Sequence, residues 1–339
     1  MRDLLADAER LLALGAPVGR AVVTSVWGSA PRPEGACLLA TAEGVMAGSV
    51  SGGCVEGATV GEIGEAIRRG TPKLITFGVS DETAWSVGLA CGGTIKVFVE
   101  PTIRAEALEA ARSVGGVVLA TIVEGPASRL GDSWLIRDDA PAGRDVPAAV
   151  AEAAVDALAR EASRSIEIEA VDGQKLTVFL EVFPRLPRLI IFGAVQIAVP
   201  LVRLARMLGY RTVVVDGRAA FLTRERFPDA DELILDWPGP AFERIGLDRS
   251  SYVCILSHDP KFDDPGVELA LRSPAKYVGA IGSRKTQAQR RERLRTAGFS
   301  DADLERLHGP IGLDIGGRMP AETALAIMAE VTGVRYGRR

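Results

Sequence analysis

Leu189-Ile190-Ile191-Phe192-Gly193-Ala194-Val195-Gln196-Ile197-Ala198 decides the fold of the C-terminal half. Four successive apolar residues read as a strand buried on both faces, and Gly193 closes it. An apolar helical pattern then runs through Leu208. Thr212 to Val215 repeats the strand pattern and stops at Asp216. Tyr252 to Leu256 and Lys276 to Ile281 follow, with helical stretches between and after them. Such alternation implies a doubly wound parallel sheet over residues 188–339.

Ligands of these sheets bind outside the carboxyl ends of the strands. The polar residues of this half gather at those ends: Asp216-Gly217-Arg218, Ser257-His258-Asp259 and Gly282-Ser283-Arg284-Lys285. A dinucleotide fingerprint is only half present. Val195 stands where a second glycine lets pyrophosphate approach the backbone, whereas Asp216 remains available for a ribose. Tight NAD binding is therefore not expected. Arg284 and Lys285 could cap the next helix or bind phosphate oxygens, and their place at a strand-to-helix junction favours the second. The dense cluster Arg290-Arg291-Glu292-Arg293-Leu294-Arg295 reads as the solvated face of a helix.

Upstream, Pro184-Arg185-Leu186-Pro187 marks a stiff boundary. Residues 1–183 read as a mixed α+β domain. Its helices are expected over Asp3–Leu14, from the region of Gly53 to Gly70, over Ala105–Arg112 and over Pro147–Ala162. Strands alternate with them, and Asp172-Gly173 suits a two-residue hairpin turn.

Within this half, Gly48-Ser49-Val50-Ser51-Gly52-Gly53-Cys54-Val55-Glu56 packs glycines and hydroxyls around one cysteine. Gly88-Leu89-Ala90-Cys91-Gly92-Gly93 repeats the theme. Glycine pairs often mark mere turns, and free cysteine is commonly a buried filler. Yet a helix starting near Gly53 would put Cys54 in its first turn, where free N–H groups favour a thiolate. Two such loops suggest a cradle for an anionic, sulfur-loving ligand. Cys37 and Cys254 fall in apolar strand patterns and read as structural.

The 339 residues suffice for two domains, and 47% hydrophobic against 25% charged content is ordinary for a globular chain. A net charge of -4 with no basic stripe argues against nucleic acid. Four dispersed cysteines with no Cys-x-x-Cys pair indicate neither a zinc knuckle nor a disulfide framework, and with two histidines a His-rich metal site is not expected. Charge interrupts the N-terminus too often for a signal peptide, and no stretch approaches the roughly 20 apolar residues of a membrane span. A cytoplasmic protein is expected. Apolar hairpins leave room for a homodimer.

Taken in order, the two glycine–cysteine motifs, Ile281-Gly282-Ser283-Arg284 and Pro310-Ile311-Gly312-Leu313-Asp314-Ile315-Gly316 resemble the XdhC/CoxI family across nearly the whole chain. The resemblance implies an N-terminal domain carrying the Gly-Cys motifs and a C-terminal Rossmann-like domain. It also implies an accessory chaperone that binds molybdenum cofactor (molybdopterin with its metal) while a cysteine desulfurase helps install the terminal sulfur. The cofactor then passes to an apo molybdenum hydroxylase such as xanthine dehydrogenase or carbon monoxide dehydrogenase. Two departures stand out: Val195 and Gln196 replace a Gly-His pair at the first Rossmann turn, and Ser257 replaces a threonine.

The candidate cofactor-binding residues are Ser51, Gly52, Gly53, Cys54, Glu56, Cys91, Gly92, Gly93, Gly193, Asp216, His258, Asp259, Ser283 and Arg284. Cys54 and Cys91 are the candidate contacts to the metal, and no residue is assigned a catalytic role. Neither half holds a full ligand set alone, so both are expected to contribute to one site. Two other classes stay open. One is an NAD(P)-dependent oxidoreductase with His258 as proton donor; the other is a redox- or nucleotide-sensing module using Cys54 and Cys91.

Overall fold

The computed structural model describes residues 1–78, 93–170, 173–257 and 259–338. The chain divides into two compact units, Met1–Arg185 and Leu186–Arg339. Among the described residues no helix is long and apolar enough to cross a membrane.

The first unit runs α1 (Leu5–Leu12), β1 (Val18–Trp27), β2 (Cys37–Thr41), β3 (Met46–Gly48), α2 (Glu56–Arg69), β4 (Lys73–Phe77) and β5 (Thr94–Glu100). It continues with α3 (Ala105–Arg112), β6 (Val117–Glu124), β7 (Ser133–Arg137), α4 (Ala148–Ala159), β8 (Arg164–Glu169) and β9 (Lys175–Phe183). Two antiparallel sheets result, ordered β3-β2-β1-β5-β4 and β7-β6-β9-β8.

The period-2 alternation of strand side chains explains how the layers stack. Ala21 and Val23 of β1 face α2, whereas Val22 faces Phe98, Val123 and Phe179 between the sheets. On the second sheet, Val178 and Leu180 meet α4, while Phe179 points back to the first. The same parity brings Arg20, Glu100 and Glu181 onto the inner faces, where Arg20 Nη1 donates to Glu100 at 2.7 Å and Nη2 bonds Glu181. All three are buried. Arg104 adds a second cation, its Nε 2.7 Å from Glu100. Asp172 of the expected hairpin turn lies outside the described residues.

The second unit runs β10 (Arg188–Phe192), α5 (Ala198–Met207), β11 (Arg211–Val215), β12 (Glu232–Ile234), α6 (Pro238–Ile245), β13 (Ser251–Ile255) and α7 (Pro260–Arg272). Then come β14 (Tyr277–Ala280), α8 (Arg284–Thr296), α9 (Asp301–Glu305), β15 (Leu307–His308) and α10 (Pro320–Arg335). All six strands are parallel, ordered β12-β11-β10-β13-β14-β15. Leu189 and Ile191 pack under α5 and α10; Ile190 and Phe192 pack under α6 and α7 on the opposite face. Burial on both faces is why the strand reads as unbroken apolar sequence. Glu330 of α10 accepts the Tyr277 hydroxyl at 2.5 Å and the Gly312 N–H at 2.9 Å, anchoring the Pro310–Gly316 segment.

Candidate functional site

In the first unit the glycine–cysteine loop closes on its own acid. The Glu56 carboxylate accepts the Ser49 hydroxyl at 2.6 Å and the N–H groups of Val50, Ser51 and Gly52 at 3.1, 2.8 and 3.1 Å on Oε1. Its Oε2 accepts the Ser51 hydroxyl at 2.6 Å and the Gly53 N–H at 2.7 Å. Burial alone would raise this carboxyl, but the Ser49 and Ser51 hydrogen bonds outweigh it and lower the pKa from 4.5 to about 2. Glu56 and Ser51 are therefore buried parts of the loop's frame, and Glu56 already fills the anion place that the glycines create.

Helix α2 starts at Glu56 rather than near Gly53, because Glu56 turns back to cap the loop. Cys54 consequently lies before the helix and not in its first turn. Gly52, Gly53 and Cys54 are exposed. Gly53 holds φ +122° with open space where a Cβ would stand, so backbone conformation rather than crowding calls for glycine. Cys91 and Gly92 lie outside the described residues. A side chain on Gly93 would overlap the Ser29 carbonyl, and one on Gly52 would sit 3.3 Å from Pro31. The segment 28–35 thus touches both motifs, and it carries Arg32, which no motif in the sequence singles out.

In the second unit the strand order, counted from β10, is 3-2-1-4-5-6, and its reversal lies between β10 and β13. This is the crevice where such sheets take ligands. A cavity of about 410 Å³ opens there, lined by Gly193, Val195, Asp216, Arg218, Ser257 and Asp259, with Phe192 and Phe262 as its apolar wall. Gly193, at φ +108°, must be glycine, since a Cβ would come within 2.8 Å of the Ser257 nitrogen.

Asp216 is committed. It accepts the Ala194 N–H at 2.8 Å and two Arg218 guanidinium nitrogens at 2.9 and 2.8 Å. Burial opposes ionisation, yet the Arg218 and Ala194 hydrogen bonds hold the carboxyl below its usual range. Asp259 caps α7 through the Lys261 N–H at 3.0 Å. His258 lies outside the described residues.

Gly193, Asp216 and Asp259 therefore meet around one cavity, whereas Ser283 lines a second, of about 400 Å³, at the end of β14. There Ser283 caps α8 and Arg284 is exposed, 3.9 Å from Asp314. A buried relay joins the two cavities. The Ser257 hydroxyl bonds Asp263, Asp263 meets Arg290 at 3.0 Å, and Arg290 donates to the Ile281 carbonyl at 3.2 Å. Arg290 is thus no part of a solvated face; it turns inward from a cluster whose other arginines are less buried.

The C-terminal geometry defines a Rossmann-type, doubly wound unit with its crevice at the strand-order reversal. Residues 189–331 match the XdhC Rossmann domain, and residues 11–78 match the XdhC and CoxI family. The chain belongs to the XdhC and CoxI family. It is 27% identical to a probable xanthine dehydrogenase subunit of Bacillus subtilis (strain 168), over 93% of this chain and 92% of that protein. It is 26% identical to the molybdenum cofactor insertion chaperone PaoD of Escherichia coli (strain K12), over 98% of this chain and 88% of that protein. The crystal structure of a xanthine dehydrogenase from Bacillus halodurans shares the fold, with a TM-score of 0.75 at 24% identity over 99% of this chain and 96% of that one.

Proposed function

We propose that this protein is an accessory factor for molybdenum enzymes. It binds molybdenum cofactor as cargo, keeps it while a cysteine desulfurase supplies the terminal sulfur, and delivers it in the cytoplasm to an apo molybdenum hydroxylase. Family membership and the names of the two relatives support the class. The observation that carries the reading to residues is Cys54, an exposed thiol on a loop whose Val50 to Gly53 amides are held by Glu56. That loop offers a sulfur donor on a preformed frame, and the cargo is a sulfur-rich metal complex. Among the described residues no cluster of three or more His, Cys, Asp or Glu side chains is placed to hold a resident metal ion.

The test is metal and pterin analysis of protein made in cells able to synthesise the cofactor. Wild type is expected to retain molybdenum and pterin in equal amounts, and Cys54→Ala to lose most of both while staying folded. Cys37→Ala, in a buried strand, is expected to retain them. Absence of pterin from the wild-type protein would sink the reading.

A second reading, an NAD(P)-dependent oxidoreductase, draws on the 3-2-1-4-5-6 strand order and its cavity. Titration with NAD and NADH separates the two: micromolar binding with turnover would favour the enzyme.

A further inference from the structure

Three charged side chains line the crevice between β10 and β13, and they are unequally committed. Asp216 is full. Its Oδ1 accepts the Arg218 backbone N–H and Nε, each at 2.9 Å, and its Oδ2 accepts the Ala194 N–H and Arg218 Nη2, each at 2.8 Å. Arg218 thus spends two guanidinium nitrogens on that pair, and its plane lies over the Phe221 ring, 4.2 Å from the centroid. Among the described residues its Nη1 has no acceptor. Asp259 spends Oδ1 on the Lys261 N–H, and its Oδ2 has no donor among the described residues. Asp216 first, and Asp259 after it, hold the Arg218 guanidinium above its ordinary pKa, so the spare donor and the spare acceptor lie within electrostatic reach of each other.

The apolar wall is aromatic and fixed. Phe262 stacks on Trp237 with centroids 4.3 Å apart and planes 6° apart, and Gly217 lies against both rings. The cavity, about 410 Å³, falls in the range of small-molecule sites, about 300–1,000 Å³. Charge narrows the ligand. Asp216 and Arg218 neutralise each other, so Asp259 leaves the lining with an excess negative charge, which disfavours a phosphate. A flat, neutral ring suits it, with N–H donors for the acid and a carbonyl oxygen for the guanidinium. The 2-amino-4-oxo edge of guanine and of pterins has that pattern, whereas adenine offers no carbonyl.

We propose that this crevice recognises the 2-amino-4-oxo edge, Asp259 accepting its ring and amino N–H groups and Arg218 donating to its carbonyl. Two sources share that chemistry, a guanine nucleoside and the pterin of the cargo. The assignment to the cargo rests on the function proposed above; the assignment of the edge to the crevice does not.

Calorimetry on the intact chain with guanosine, inosine, adenosine and free pterin tests the edge. Inosine lacks only the amino group. Because Asp259 is exposed, guanosine should bind about tenfold, not a hundredfold, more tightly than inosine. Adenosine should bind no better than inosine. Asp259→Ser keeps an oxygen to cap α7 but removes the carboxylate, so it should bring the guanosine-to-inosine ratio close to one in a folded protein. Pterin binding tighter than guanosine, together with loss of retained pterin from Asp259→Ser made in cofactor-producing cells, supports the cargo as the source. Tighter guanosine binding with pterin retention unchanged supports a nucleoside instead. Wild-type protein that carries no pterin but keeps the tenfold ratio removes the cargo and leaves the edge. Equal binding of guanosine and inosine, no binding of guanosine or pterin, or an unchanged ratio in folded Asp259→Ser overturns the proposal, whatever the protein carries.

Discussion

Asp263 and Arg290 face each other at 3.0 Å, each only 2% exposed, between two cavities at neighbouring strand ends of the parallel sheet. Removing Asp263 leaves the buried Arg290 with its longer contact to Asp264 at 3.4 Å and takes the acceptor from the Ser257 hydroxyl. Asp263→Ala should therefore cost about 1–3 kcal/mol. The urea midpoint should fall with little change in slope. A midpoint equal to wild type would mean that water reaches Arg290 in solution.

Glu56→Gln tests the loop's frame. Glutamine keeps one acceptor but turns an N–H₂ toward groups that themselves donate, such as the Gly53 N–H. The expected loss is about 1–3 kcal/mol. The acid limb gives a second check. Because the folded-state pKa is depressed from 4.5 to about 2, the carboxylate contributes fully above 4.5 and is lost as pH falls through about 2. Melting temperature should fall more steeply for wild type than for Glu56→Gln across that window. Parallel profiles would remove the carboxylate from the loop's support.

Thiol reactivity should separate the described cysteines. Cys54 is exposed, whereas Cys37 and Cys254 are buried. Burial pushes the thiols of both buried residues above the ordinary range, with Arg20 partly opposing it at Cys37. Native protein at neutral pH should be alkylated at Cys54, and at Cys37 and Cys254 only after denaturant. Labelling of Cys254 at the rate of Cys54 would show that the parallel sheet opens readily.

The crevice at Gly193 should bind NAD weakly. Val195 adds bulk where pyrophosphate meets backbone, and Arg218 occupies the carboxylate that would take a ribose. Val195→Gly should raise affinity about tenfold, or about 1.4 kcal/mol, by calorimetry. Tight binding by the unmodified chain would refute this.

The parallel sheet was legible because β10, β11, β13 and β14 are buried on both faces and leave unbroken apolar runs. β12 and β15 were not, since three and two residues carry too little pattern to register. That Cys54 sits on a glycine-rich loop was legible in the sequence, but the inward turn of Glu56 was not. An acid following a glycine pair looks the same whether it binds a ligand or its own loop. Arg290 was hidden by neighbours that do face water, and its partner Asp263 is distant in sequence.

The charge cluster between the sheets of the first unit limits how this protein can be divided. Arg20 sits on β1, Glu100 on β5 and Glu181 on β9, so the earliest strand is neutralised partly by the last. A polypeptide ending after Glu100 would expose the apolar inner face of its sheet and lose the second acid for Arg20. The portion that carries the Cys54 motif is therefore no exchangeable cassette. Gene fusions or domain swaps that transplant it should carry residues 1–185 together.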